Sequence, residues 1–190
     1  MCEAARHPIQ CIIPPYIAQE MVKSPDPAVR NAGLTSLTSG ERARTLRALF
    51  RVAPGTIAPG ALLAAAAAPP KKEREVYDAE GTDQLPGTLK RSEADGPTGD
   101  AAIDEAFDYS GDTYDFYLKL FKRNSLDDRG MTLVSSVHVT ENGLPMDNAY
   151  FNGSQMAYGD GDGVVFQRFT AALDVVGHEL TQASSSSPAT

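Results

Sequence analysis

The sequence predicts a mixed α+β chain. Apolar residues recur at helical spacing over residues 101–122 and again over 170–183, and β-branched or aromatic runs at 132–140 and 148–158 read as strands. The 190 residues suffice for one ordinary domain with an extra segment, and 42% apolar content is enough for a core.

The elements follow in chain order. Residues 9–17, with Pro14 and Pro15 paired, read as an extended apolar segment, because proline is excluded from a helix interior. From Pro27 to Phe50 the pattern turns helical; Asp26-Pro27 starts one helix, and Ser39 with Glu41 and Arg42 starts another. Arg42, Arg44, Arg47 and Arg51 give that second helix a basic side. Residues 53–72 are rich in proline and alanine and mark the best domain boundary. Arg74 to Asp78 suits a first strand, and residues 82–100 read as turn-rich around Leu85-Pro86-Gly87. Ser110-Gly111 is expected to divide the long helical run. Asp160 to Gly163 lacks the remaining positions of a calcium loop and reads as a turn. His138 is expected to satisfy a hydrogen bond in the core.

Charge is unevenly spread. Residues 1–72 carry nine Lys or Arg against four Asp or Glu, whereas residues 73–190 carry eight against twenty-one. The asymmetry suggests two parts with complementary surfaces. A net charge of -8 argues against a nucleic-acid partner, which needs a basic footprint. The apolar run Ala61 to Ala68 is too short to span a membrane, so no membrane partner is expected. Cys2 and Cys11 allow one disulfide and no framework, which leaves the redox compartment open.

The most informative stretch is Val175-Val176-Gly177-His178-Glu179-Leu180-Thr181-Gln182. The pattern His-Glu-x-x-His sets two imidazoles one helical turn apart with a carboxylate beside them, the arrangement that holds zinc and a general base. Here Gln182 stands at the second imidazole position. Val175, Val176 and Leu180 predict a buried helix, and buried ionisable groups need a partner or a purpose.

Asp174 to Thr181 resembles the active-site helix of thermolysin-like neutral zinc metalloproteases. The stretch from Asn148 to Asp162 is similar to the segment before that helix in the same family, and Tyr77-Asp78-Ala79, Leu85-Pro86-Gly87 and Ser135-Ser136-Val137-His138 match in order. Residues 9–51 also resemble the short propeptide of the protealysin-like branch, with Pro14-Pro15-Tyr16 as signature. The resemblance implies a thermolysin-like amino-terminal half-domain, mostly β sheet and ending in the active-site helix, behind a small propeptide domain. The expected boundaries are propeptide 1–52, linker 53–73, peptidase domain 74–183 and disordered tail 184–190.

It also implies roles. His178 is a zinc ligand, Glu179 polarises the zinc-bound water and takes its proton, and Asp174 is a calcium ligand. Asn148, Ala149 and Tyr150 lie on the edge strand that hydrogen-bonds an extended peptide or protein substrate. Pro14, Pro15 and Tyr16 lie over the cleft as the chain's own propeptide contact, with Tyr16 filling a pocket. The cofactors implied are Zn2+ and Ca2+. Gln182 departs from the family, whose third ligand is a Glu on a later helix; a catalytic zinc site needs three protein ligands. The expected function is therefore a metalloendopeptidase precursor in a truncated, inactive form. The alternative is a non-catalytic protein that regulates an intact relative through its propeptide. The family is often exported, yet residues 1–20 lack a recognisable signal pattern. The final helix is expected to leave Leu173, Val176 and Leu180 incompletely covered, giving a fold that dimerises, aggregates or frays.

Overall fold

A computed structural model describes residues 12–52 and 69–186, and for residues 47, 49–52 and 182–186 it describes the backbone alone. Cys2, Cys11, nearly all of the expected linker and residues 187–190 lie outside it.

The chain enters through two packed helices, α1 (Pro15–Val22) and α2 (Pro27–Val52). The paired prolines begin a helix rather than exclude one. Pro14 is the N-cap, at φ -60° and ψ 142°, and its carbonyl accepts from the Ile17 and Ala18 amides. Pro15 occupies the first helical position, where an amide N–H would have no helical partner anyway. At the start of α2 the Asp26 carboxylate accepts from the Ala28 amide at 2.8 Å. The helix then runs unbroken through Ser39, where a second start was expected. Ser39 is fully buried and donates back to Thr35 O. Gly33 lets the two helices close, because a Cβ there would overlap Ala18 O and the Met21 side chain.

Beyond Pro69 the chain forms β1 (Arg74–Asp78), β2 (Thr88–Ser92), α3 (Ala101–Phe121), β3 (Leu133–Val137), β4 (Thr140–Glu141), β5 (Leu144–Pro145), β6 (Ala149–Phe151) and β7 (Met156–Tyr158). A 3-10 turn (Phe169–Ala171) leads into α4 (Leu173–Ser186), so residues 184–186 are helical rather than tail. The main sheet has the order β2-β1-β3-β7-β6. The β1–β3 and β3–β7 pairs are parallel, and the β1–β2 and β6–β7 pairs antiparallel. β4 and β5 form a separate hairpin.

Three expectations need correction. The turn-rich segment contains β2, an edge strand whose charged, largely exposed residues carry no apolar alternation. The segment 148–158 is a hairpin rather than one strand, because Asn152 Oδ1 accepts from the Ser154 and Gln155 amides and turns the chain. Ser110-Gly111 does not divide α3. Ser110 Oγ returns a bond to Phe107 O at 2.9 Å, and Arg74 occupies the space that a side chain at Gly111 would need.

Phe107 anchors α3 on the sheet. The Arg74 and Arg91 guanidinium carbons lie 3.7 and 4.0 Å from its ring centre. Arg74 also holds Glu93 at 2.6 and 2.9 Å. Ile103, Phe107, Tyr114 and Tyr117 of α3 share one core with Val76, Leu133, Val137, Phe151, Met156 and Tyr158 of the sheet and with Val176 and Leu180 of α4. A second cluster joins Ala43 of α2 to Val139, Met146, Tyr150 and Ala157. The latter packing places the helical pair against the far edge of the sheet.

Candidate active site

Two apolar residues one turn apart fix the rotation of α4: Val176 is fully buried and Leu180 2% exposed. The helical period then carries Glu179 inward as well, to zero exposure. Its Oε2 accepts from the Phe151 amide of β6 at 3.1 Å. His178 is half-buried and opens onto a groove of about 540 Å³ between α3 and α4, with Thr113, Phe116, Tyr117, Leu173 and Asp174. Tyr117 donates to Thr181 Oγ1 at 3.0 Å, and Thr181 donates to Gly177 O at 2.7 Å, which ties the helices together beside the histidine.

The expected substrate strand lies on the other side of Glu179. Asn148, Ala149 and Tyr150 are essentially fully buried. Asn148 Oδ1 accepts from the Ala149 amide at 2.9 Å, and its Nδ2 donates to Ser36 O of α2 at 3.4 Å. Ser36 Oγ donates to Asp147 O at 2.8 Å. Ser39 Oγ is bonded to Glu141 Oε2, and Arg42 reaches Asp83 at 3.3 Å. The structure thus brings Glu179 and the strand of Asn148 together and sets α2 on the strand's outer side. The contacting residues are not those expected from the sequence. Tyr16 is 65% exposed, so its ring fills no pocket, and Pro15 is exposed too. Of this segment Ile13 enters the main core. The signal that marks the real contact is the spacing Ala32, Ser36, Ser39, Ala43, small residues on one helix face, all buried. Charge had drawn attention to the arginine face instead.

Burial sets the electrostatics here. Desolvation holds the Glu141 carboxyl above its ordinary range, against the opposing pull of Ser39 and Arg42. Burial and then the charge of Asp162 push Asp147 up to about 6. His138 is not a core residue. It follows β3 at φ 54°, with Nδ1 2.7 Å from Asp160 Oδ2 and Nε2 3.2 Å from Asp100 Oδ2. The Asp160 hydrogen bond is the main cause that raises it to about 9. Asp162 accepts from the Val164, Val165 and Phe166 amides, as a turn residue does.

Among the described residues no three His, Cys, Asp or Glu side chains converge on a common point. Asp174 is exposed in the first turn of α4. The Gln182 side chain lies outside the described residues. The described donors therefore do not compose a zinc or calcium site.

Residues 67–184 match the model of the thermolysin metallopeptidase catalytic domain. The chain belongs to that family. An extracellular metalloprotease of Pectobacterium carotovorum subsp. carotovorum is 42% identical over 92% of this chain and 46% of its own length. Protease PrtS of Photorhabdus sp. (strain Az29) is 51% identical over 57% of this chain and 28% of its own. The precursor of protealysin, a metalloproteinase from Serratia proteamaculans, superimposes with a TM-score of 0.71 at 38% identity, over 94% of this chain and 47% of that one. The chain thus spans less than half the length of these thermolysin-family relatives. Among the described residues no helix is long and apolar enough to cross a membrane.

Proposed function

We propose that this chain is the amino-terminal part of a thermolysin-like metalloendopeptidase precursor, with α1 and α2 as a propeptide seated in cis on the substrate strand. One observation carries the reading. α4 sets Glu179 on the Phe151 amide at one end of β6 while Ser36 of α2 bonds Asp147 and Asn148 just before its other end, so both contacts take up the edge of the strand that β7 leaves open. An extended peptide would need that edge to add its own backbone hydrogen bonds. In this reading Glu179 is the general base and His178 a metal ligand. Gln182 replaces an imidazole by a neutral amide, so the chain as it stands does not hold a catalytic zinc, and no zinc step is drawn through it. The alternative role, regulation of an intact relative in trans, would require α2 to leave a seat it already occupies.

The test is casein hydrolysis by the full chain, with and without added zinc. No turnover is expected, and Gln182→His should raise zinc affinity, read by calorimetry, without creating activity. Hydrolysis lost to a chelator and regained with zinc would refute the inactivity. Capture of an intact homologous protease by the unaltered chain would favour the regulatory role.

A further inference from the structure

The pair Asn-Gly occurs twice in the chain, at 142–143 and at 152–153. Such a pair is open to deamidation, because glycine puts no side chain in the way when its backbone nitrogen attacks the asparagine carboxamide. The fold treats the two pairs in opposite ways. Asn152 is buried, and its Oδ1 accepts from the Ser154 amide, the Ser154 hydroxyl and the Gln155 amide at 2.9, 3.0 and 3.0 Å. Its carboxamide cannot turn without breaking those bonds. Asn142 and Gly143 are both exposed, at φ 53° and 76°, and form the two-residue link between β4 and β5. A link that tight requires positive φ at both positions, which asparagine and glycine supply. Among the described residues none hydrogen-bonds the Asn142 carboxamide or accepts from the Gly143 amide. We infer that Asn142 is a deamidation site of this chain, and that its isoaspartyl product loosens the seat of α2.

The Gly143 nitrogen attacks Asn142 Cγ, and a C–N bond forms. The Cγ–Nδ2 bond breaks, and Nδ2 leaves as ammonia with the proton that the Gly143 nitrogen gives up. Water then opens the cyclic imide at either carbonyl. One opening yields aspartate. The other yields isoaspartate, whose backbone runs through the side-chain carbon. Ring closure needs Asn142 to rotate out of the tight link. The hairpin that resists this rotation has two residue pairs, Thr140–Pro145 and Glu141–Leu144, and stands apart from the main sheet. A two-stranded hairpin is marginal by itself. Leu144 and Pro145 are exposed, and no atom lies within 4 Å of the place a Gly143 side chain would take. The link therefore opens without disturbing the core.

The effect on α2 follows from position. Residues 142–145 lie between two residues that meet that helix. Before them, Glu141 Oε2 accepts from the Ser39 hydroxyl. After them, Met146 packs in one cluster with Ala43. Thr140 is fixed by its bonds to Gly81 O and Thr82 O. Isoaspartate adds a carbon to the backbone of a link whose length sets the register, so Glu141 and Leu144 no longer pair. It also puts a carboxylate beside the buried Glu141. The inference depends on the docking geometry alone and holds whether or not the chain is a protease.

The test incubates the full chain in warm, mildly alkaline water labelled with heavy oxygen, followed by digestion and mass spectrometry. The label marks the acids formed before the digest. In the folded chain the acid should form at residue 142 more than about tenfold faster than at 152, because Asn152 reacts only after its buried turn opens. In urea the two rates should converge. Amide exchange over residues 36–43 is then read on the isoaspartyl chain, separated by ion exchange. The opening of α2 should rise about tenfold, the worth of one buried hydrogen bond to a charged group. Asn142→Gly keeps the positive φ and has no carboxamide, so after the same incubation its exchange should match its own fresh sample. A folded-state rate at 152 equal to or faster than that at 142 overturns the site. Unchanged exchange in the isoaspartyl chain, or equal loosening in incubated Asn142→Gly, overturns the link to α2.

Discussion

His138 shows how a single residue can be misread from sequence. It follows Ser135-Ser136-Val137 in a β-branched run, which suggested a core partner. Its actual partners, Asp100 and Asp160, lie 38 and 22 residues away and come together only because the N-terminus of α3 meets the loop after β7. Asp100 also caps α3 through the Ala102 and Ile103 amides, so the imidazolium bridges a helix start and a loop. Its folded value of about 9 exceeds the ordinary 6.5. The stability it contributes is full below 6.5 and is lost as the pH rises through 9. Urea midpoints should therefore fall across that window, and His138→Gln should remove most of the fall. An unchanged slope in His138→Gln would show that the bridge is not linked to folding. The burial of α4 around Glu179, by contrast, was legible at once from the apolar residues Val176 and Leu180 beside it.

At the scale of elements, long periodic segments were readable and their interruptions were not. α3 and α4 follow from apolar spacing. The break expected at Ser110-Gly111 failed because Arg74, 37 positions earlier, fills the space beside the glycine. For α4 the expectation that Leu173, Val176 and Leu180 would not all be covered is met at one residue only. Val176 and Leu180 are covered by the core, and Leu173 alone of the three is open, at 46%. Leu180→Ala should cost about 2–5 kcal/mol through lost burial and a residual cavity. Leu173→Ala should stay within about 0.5 kcal/mol. Denaturant unfolding separates the two, and equal losses would mean that the helix is not seated as described. Among the other exposed apolar residues, Phe116, Leu120 and Phe121 gather at the end of α3.

For the molecule as a whole, the charge asymmetry suggested two parts with complementary surfaces, yet charge contributes little to the described contacts of α2. Across the interface of α2, the described contacts are small buried residues, buried hydrogen bonds and one partly exposed ion pair, Arg42–Asp83. Such a pair is worth about 0–1 kcal/mol. Close packing at Ala43, which has no exposure, leaves no room for a larger side chain. Arg42→Ala should thus change the opening of α2 by no more than about fivefold, whereas Ala43→Leu should cost about 1–3 kcal/mol through overpacking. Exchange rates over residues 36–43 read both effects; a larger loss in Arg42→Ala than in Ala43→Leu would restore the electrostatic account.

The cover over β6 has a further consequence, for solubility. A sheet that ends in an open strand invites another chain to add to it, and proteins blunt such ends with charge, brevity or a covering element. At one end of this sheet β2 places Lys90 on a largely exposed strand, the charged solution. At the other end β6 is three residues long, with no charged side chain in Ala149–Phe151, and α2 lies along it. The helix that covers β6 therefore also blocks strand-by-strand growth of one copy onto the next. Any event that lifts α2 unmasks a short apolar template at one end of the sheet only. With one open edge per copy, such pairing joins two molecules edge to edge and then stops.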